Sequence, residues 1–266
     1  MLVETARQIH ALTPVAEGKP FLAAVRRERD LRLESYRQRM VGPDSLWREW
    51  RAGLPTGELL QQAVLKRFEV WASTLDPNPR RTHEVAQSSL LFYDSLSEFG
   101  LVPLGEQETV RARRILNLAA LTQDVGRAQG EKDHHKNSRR LLRKLELPPG
   151  WSAEDLTLAG MVARFHRGAL PDAQKSYAAL PPENRYLADL LAGILRLADS
   201  VTTDDPVIRH ISLSYEKGVV RIVVPGYRSR GRQARAIAGA RHLLEETLKL
   251  PVLVRDLSMT SGGQPN

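Results

Sequence analysis

Between Glu58 and Asp204 apolar residues return every third or fourth position, in blocks divided by clusters of Pro, Gly and Asn. That period lays an apolar stripe along one side of a helix, so this stretch folds as a set of packed helices. The blocks run roughly from Glu58 to Leu75, Pro79 to Glu98, Glu106 to Leu121, Asn137 to Leu145, Ser152 to Phe165 and Glu183 to Ser200. Asp76-Pro77-Asn78-Pro79, Pro148-Pro149-Gly150 and Leu180-Pro181-Pro182 mark connections between them. After Asp204 the period changes. Ile208 to Tyr215 and Val219 to Val224 read as strands joined by a hairpin at Glu216-Lys217-Gly218, Gln233 to Leu248 returns to helical period, and Val252-Leu253-Val254 reads as a third strand. The expected fold class is mainly α, with a small C-terminal α+β appendage of β-β-α-β order. The expected domains are an N-terminal helical extension over 1–55, a helical domain over 56–204, an α+β subdomain over 205–258 and a flexible tail over 259–266.

The chain has 266 residues, 42% of them hydrophobic and 26% charged, which gives enough apolar material for a sizeable core. No run approaches the ~20 apolar residues of a membrane helix. Glu4 and Arg7 interrupt the first residues as a signal segment, so a cytoplasmic location without membrane association is expected. The chain contains no cysteine, which excludes disulfides, thiolate catalysis and cysteine-ligated metals. A metal site would have to be built from His, Asp and Glu.

The formal net charge of +8 favours polyanionic partners, nucleic acid among them. An Arg-rich run over Arg26 to Arg39 is interleaved with Glu28, Asp30 and Glu34 and reads as a solvated helix with ion pairs. Arg228, Arg230, Arg232 and Arg235 lead into the last helix and read as a surface loop with room for an anion.

Within the helical stretch, His83 opens one helix, whereas Asp124 and Asp199 each end another. A metal-dependent phosphohydrolase needs ligands converging from different helices and an open position for water. His134 and His166 fall in order between the two aspartates. Each residue alone is uninformative, because a single His is more often structural and Asp near a helix end is common.

The segments His83-Glu84-Val85-Ala86, Gln123-Asp124-Val125-Gly126, Asp133-His134-His135-Lys136, Phe165-His166-Arg167-Gly168 and Leu197-Ala198-Asp199-Ser200 have the order and rough spacing of an HD phosphohydrolase. With Leu91-Phe92-Tyr93-Asp94-Ser95-Leu96 and Ala163-Arg164-Phe165-His166-Arg167, the pattern resembles the C-terminal half of the exopolyphosphatase and guanosine-pentaphosphatase (Ppx/GppA) family over about residues 60 to 257. The resemblance implies an HD-domain-like helical bundle. It also implies a metal set drawn from His83, Asp124, His134, His166 and Asp199, holding manganese, magnesium or zinc. Phosphate contacts are implied for Gln123, His135, Lys136, Arg139, Arg164 and Arg167, within a larger group of cations that includes Arg80, Arg81, Arg127, Lys132 and Arg140.

Two departures shape the expected function. Gln123 stands where relatives carry the His of the His-Asp pair, and an amide oxygen is a much weaker ligand than imidazole for a transition metal. The first ~80 residues lack the glycine-rich phosphate loops of the family's actin-like catalytic domains and are too few to build them. The expectation is therefore binding of polyphosphate or a phosphorylated guanosine nucleotide, with hydrolysis weak or absent. Two alternatives are an active metal-dependent HD phosphohydrolase and a regulatory subunit of a separate actin-like exopolyphosphatase. A homo-oligomer is the remaining partner expectation.

Overall fold

Proline and capping side chains set the helix ends in this computed structural model, which describes residues 57–168, 170–171, 175–202 and 211–256. The extension expected over 1–55, the start of the first strand at Ile208 and the tail over 259–266 lie outside the described residues. Helix α1 spans Gly57–Ser73. Helix α2, Pro79–Glu98, starts with Pro at its first position, and the Asn78 side chain accepts from the Arg81 N–H. Helix α3 spans Glu106–Thr122 and runs into a 3-10 turn over Val125–Gln129. Helix α4 is His134–Leu142. Helix α5, Ala153–Phe165, is capped by Ser152, whose side chain accepts from the Asp155 N–H at 3.0 Å. A short helix α6, Lys175–Ala178, precedes α7, Pro182–Val201.

Helix α7 is buried nearly all round, from Leu187 to Val201, as expected for a helix that others surround. It packs against α2, α3 and α5. On its remaining side lies α8, Arg232–Leu248. The contact is close because α7 carries Gly193 there: a Cβ at that position would lie 3.0 Å from both N and Cα of Leu244.

Strands β1 (Ser212–Glu216) and β2 (Val219–Val223) are antiparallel, with Glu216 paired to Val219. Lys217 and Gly218 between them both have positive φ, 51° and 75°, the backbone that a two-residue hairpin loop requires. Strand β3 (Val252–Arg255) pairs in parallel with β2 after the α8 crossover, giving the order β1-β2-β3. Val220, Ile222 and Val252 are fully buried and belong to the same apolar cluster as Leu191 and Leu195 of α7. Each contributes about 1.5–3 kcal/mol relative to exposure. The appendage thus shares its core with the helices, and Phe99 after α2 stacks on Tyr215 of β1 at 6.2 Å. Among the described residues no helix is long and apolar enough to cross a membrane.

Candidate functional site

The end of α3 is buried from Leu118 to Gly126, so the chain carries a carboxylate into the interior at Asp124. The start of α4 is pressed against this segment. A Cβ on Gly126 would fall 2.0 Å from the His134 carbonyl oxygen and 2.5 Å from the Ser138 nitrogen. Ser138 fastens the contact: its Oγ donates to the Gln123 carbonyl at 2.6 Å and accepts from the Gly126 N–H at 2.9 Å. These constraints aim the first residue of α4, His134, at Asp124. The C-terminal end of α5 delivers His166 from the other side.

Oδ1 of Asp124 lies 3.2 Å from Nε2 of His134 and 3.8 Å from Nε2 of His166, and the two Nε2 atoms are 3.4 Å apart. Each ring turns its Nδ1 to a backbone carbonyl, Glu131 at 3.0 Å and Ala163 at 2.6 Å. A carbonyl only accepts, so each Nδ1 carries a proton; a ring with that proton alone presents its Nε2 lone pair inward, and a ring protonated on both nitrogens instead faces Asp124 as a cation. Burial drives the His166 pKa down to about 4, although Asp199 and Asp124 act the other way, so this ring is neutral near pH 7. Burial would raise the Asp124 pKa, but contacts with His134, His166 and Arg127 hold it well below the usual carboxylate range.

Three electron-pair donors thus converge on one point. Corners about 2.05 Å from a tetrahedral centre stand about 3.3 Å apart, the spacing of ligands around zinc. The observed edges of 3.2, 3.4 and 3.8 Å are close to that, and Oδ1 of Asp124 has no aligned hydrogen bond. Asp124, His134 and His166 are compatible with a divalent metal. A guanidinium competes for the same oxygen, since Nε of Arg127 lies 3.0 Å from it.

Asp199, in the last turn of α7, is buried beside this group and paired with cations. Nη1 of Arg81 lies 2.8 Å from its Oδ1, and Nη2 of Arg81 donates to its backbone carbonyl at 2.8 Å. Nε and Nη2 of Arg167 donate to Oδ2 at 3.2 and 3.1 Å. Burial would raise its pKa, but the charges of His166, Arg81 and Arg167 keep it below the ordinary value.

The geometry therefore joins Asp124, His134 and His166 and sets Asp199 next to them, paired with Arg81 and Arg167. His83, expected among the ligands, is exposed and lies outside the three-residue group. On α2 it is Arg81, two residues earlier, that reaches Asp199. Gln123, expected at a phosphate contact, is fully buried, and neither amide atom finds a hydrogen-bond partner among the described residues. His135 is half-buried, its ring centroid 5.6 Å from that of His134 and 6.4 Å from that of His166. Lys136 is exposed and pairs with Asp133 at 2.8 Å. Arg139 donates to Ser176 Oγ at 3.0 Å, and the Arg164 guanidinium stands 6.0 Å from the Phe165 ring centroid.

Sequence reasoning gave Arg81 and Arg127 only as general phosphate cations, and it did not single out Ser138 or the steric role of Gly126. The inward face of α2 held a usable signal. Its buried residues Thr82, Val85, Ala86, Ser89, Phe92, Tyr93 and Leu96 follow helical period, and that stripe extends back toward Arg81 and away from His83.

Residues 72–205 match a known family model, described as Ppx/GppA phosphatase, domain III. Comparison with curated proteins finds no match.

Proposed function

The chain belongs to the Ppx/GppA phosphatase family, and from that premise we propose that the group around Asp199 and Arg167 forms a central pocket that binds a phosphorylated anion, polyphosphate or a phosphorylated guanosine nucleotide, with hydrolysis weak or absent. The observation that carries this reading is the pairing of Asp199. A carboxylate that serves a metal must offer an oxygen to it, whereas both oxygens of Asp199 face guanidinium groups within 3.2 Å. Guanidinium stays charged at any accessible pH, so the negative charge is already neutralised. Arg167 spends Nε and Nη2 on Asp199 and has 44% of its side chain exposed, which leaves N–H donors for an incoming phosphate oxygen. Lys136 and the half-buried His135 are further groups for the anion on the α4 side. The site works in the cytoplasm, where such anions are found dissolved.

A second reading has its own observation, the donor triangle of Asp124, His134 and His166. Two imidazoles favour zinc or manganese over magnesium, which prefers oxygen ligands. A bound ion would polarise a phosphoryl oxygen or a water for attack on phosphorus. In that case Arg127 would have to yield its contact with Oδ1 of Asp124, and Arg167 would orient the phosphate.

Titration calorimetry with tripolyphosphate and guanosine tetraphosphate, run beside metal analysis of the purified protein, tests both. The leading reading expects binding, less than one equivalent of metal, no phosphate release, and about tenfold weaker binding in Arg167→Gln. No binding of either anion refutes it. A full equivalent of metal, lost in His134→Ala and His166→Ala and accompanied by phosphate release, transfers the assignment to the second reading.

A further inference from the structure

Half-buried arginines of this fold either face a carboxylate or donate to two backbone carbonyls, as Arg185 and Arg196 do. Arg81, Arg111, Arg114 and Arg127 each lie within 3.0 Å of a buried aspartate oxygen. Arg139 differs. It is partly buried on α4, its stem lies against α5, where a Cβ on Gly160 would be 3.6 Å from its Cγ, and its Nη1 donates to a neutral acceptor, Ser176 Oγ, at 3.0 Å. No carboxylate is within ion-pair distance of it among the described residues. Arg164 sits one turn beyond Gly160, on the same face of α5. Burial pushes the Arg139 guanidinium below its ordinary pKa, and the charges of Arg143 and Arg164 add to that. Asp133 offsets part of the Arg164 charge, so the face is a cluster of cations that keeps a net positive charge under partial desolvation, an arrangement that an anion relieves and that water relieves less well.

We propose that Arg139, Arg164 and Ser176 form a second anion subsite that takes one phosphate group. Ser176 Oγ stands where an acceptor meets Nη1 of Arg139, and as a hydroxyl it can also donate to a phosphate oxygen. Arg139 supplies the charge-assisted contact, and its stem is fixed by the gap at Gly160. The subsite adjoins the central pocket across His135, whose pKa burial lowers first and the Arg164 charge next. The inference rests on the phosphate-binding reading for the identity of the anion. The phosphate belongs either to a chain whose other end occupies the central pocket or to a free ion.

The test is calorimetric titration of the whole chain with orthophosphate and with tripolyphosphate. Arg139→Gln and Arg164→Gln keep most of each stem, and a melting curve verifies that each folds. Both should weaken tripolyphosphate binding about tenfold, against less than about twofold for Arg228→Gln on the loop before α8. Orthophosphate unaffected by the two substitutions assigns the subsite to the chain, and orthophosphate weakened equally assigns it to the free ion; both outcomes support the subsite. Unchanged tripolyphosphate affinity in folded Arg139→Gln, or a loss matched by Arg228→Gln, overturns it. If Arg167→Gln weakens binding and Arg139→Gln does not, the central pocket stands without the subsite. If only Arg139→Gln weakens it, the subsite stands and the reading of the central pocket fails.

Discussion

Gly126→Ala should unfold the protein well below the temperature of the unmodified chain, for steric reasons alone. Gly126 does not have a positive φ, so alanine suits its backbone. Space is what is lacking, because the new methyl would meet the His134 carbonyl oxygen at 2.0 Å, the Ser138 nitrogen at 2.5 Å and Asn137 Cβ at 2.8 Å. The first two are backbone atoms of α4 and cannot rotate away, so the start of the helix must retreat by about 1 Å or more to reach ordinary contact. That retreat stretches two buried hydrogen bonds through Ser138 Oγ, now 2.6 and 2.9 Å. Overpacking costs about 1–3 kcal/mol and each lost bond about 1 kcal/mol, giving about 3–5 kcal/mol in all. For a domain of this size that lowers the melting temperature by roughly 10 °C, readable by circular dichroism. Ser138→Ala added to Gly126→Ala should cost less than it does in the unmodified chain, because the bonds it removes are already broken. A melting temperature within about 2 °C of the parent, or strictly additive costs, would refute the argument.

Two further predictions rest on packing and charge. Gly193→Ala and Gly239→Ala both place alanine in a helix, worth up to about 1 kcal/mol in propensity. At Gly193 the methyl meets Leu244 N and Cα at 3.0 Å, whereas at Gly239 nothing lies within 4 Å. Chemical denaturation should therefore show Gly193→Ala destabilised by about 1 kcal/mol and Gly239→Ala stabilised by about 0.5 kcal/mol or more; equal effects would mean that α7 and α8 are not in close contact. Asp155→Asn should cost about 3 kcal/mol, since Asp155 is buried between Arg111 Nε and Arg114 Nη2, each at 2.7 Å, and its loss leaves two partly desolvated cations. A urea midpoint shift equivalent to less than about 1 kcal/mol would show the pair to be solvated.

The helices were legible where local chemistry and burial agree. Pro79 with Asn78, and Ser152 with Asp155, announce their helix starts in the sequence, and the observed boundaries begin there. Helix α4 begins three residues before the expected Asn137 because its start carries no such mark. Asp133 adopts a left-handed conformation with φ 59°, and its side chain makes no cap bond. The 3-10 turn over Val125–Gln129 and the four residues of α6 are too short to imprint a period. The hairpin was legible for a different reason, since Lys217-Gly218 between alternating runs admits few turn geometries.

The site was legible only in part, and the physical reason lies in what a sequence motif omits. Asp124, His134 and His166 entered the reading as a set through the resemblance to the Ppx/GppA family, and the structure brings these three together, whereas the spacing of helix ends by itself pointed to His83, Asp124 and Asp199. His83 and Arg81 stand within one turn of α2, where a shift of two residues rotates the side chain by about 200° and exchanges the inward face for solvent. The motif favoured the histidine because imidazole is the chemically expected ligand, while the burial period favoured the arginine. The structure follows the period: Arg81 meets Asp199 at 2.8 Å, and His83 is exposed. A guanidinium at that place supplies the positive charge that a buried carboxylate requires and carries it permanently, so the fold can keep Asp199 ionised in its interior without recruiting an ion there. Charge balance at Asp199 is in this way separate from the donor set beside it, since the two guanidinium groups that neutralise it come from Arg81 and Arg167 and not from the three residues that could hold a metal.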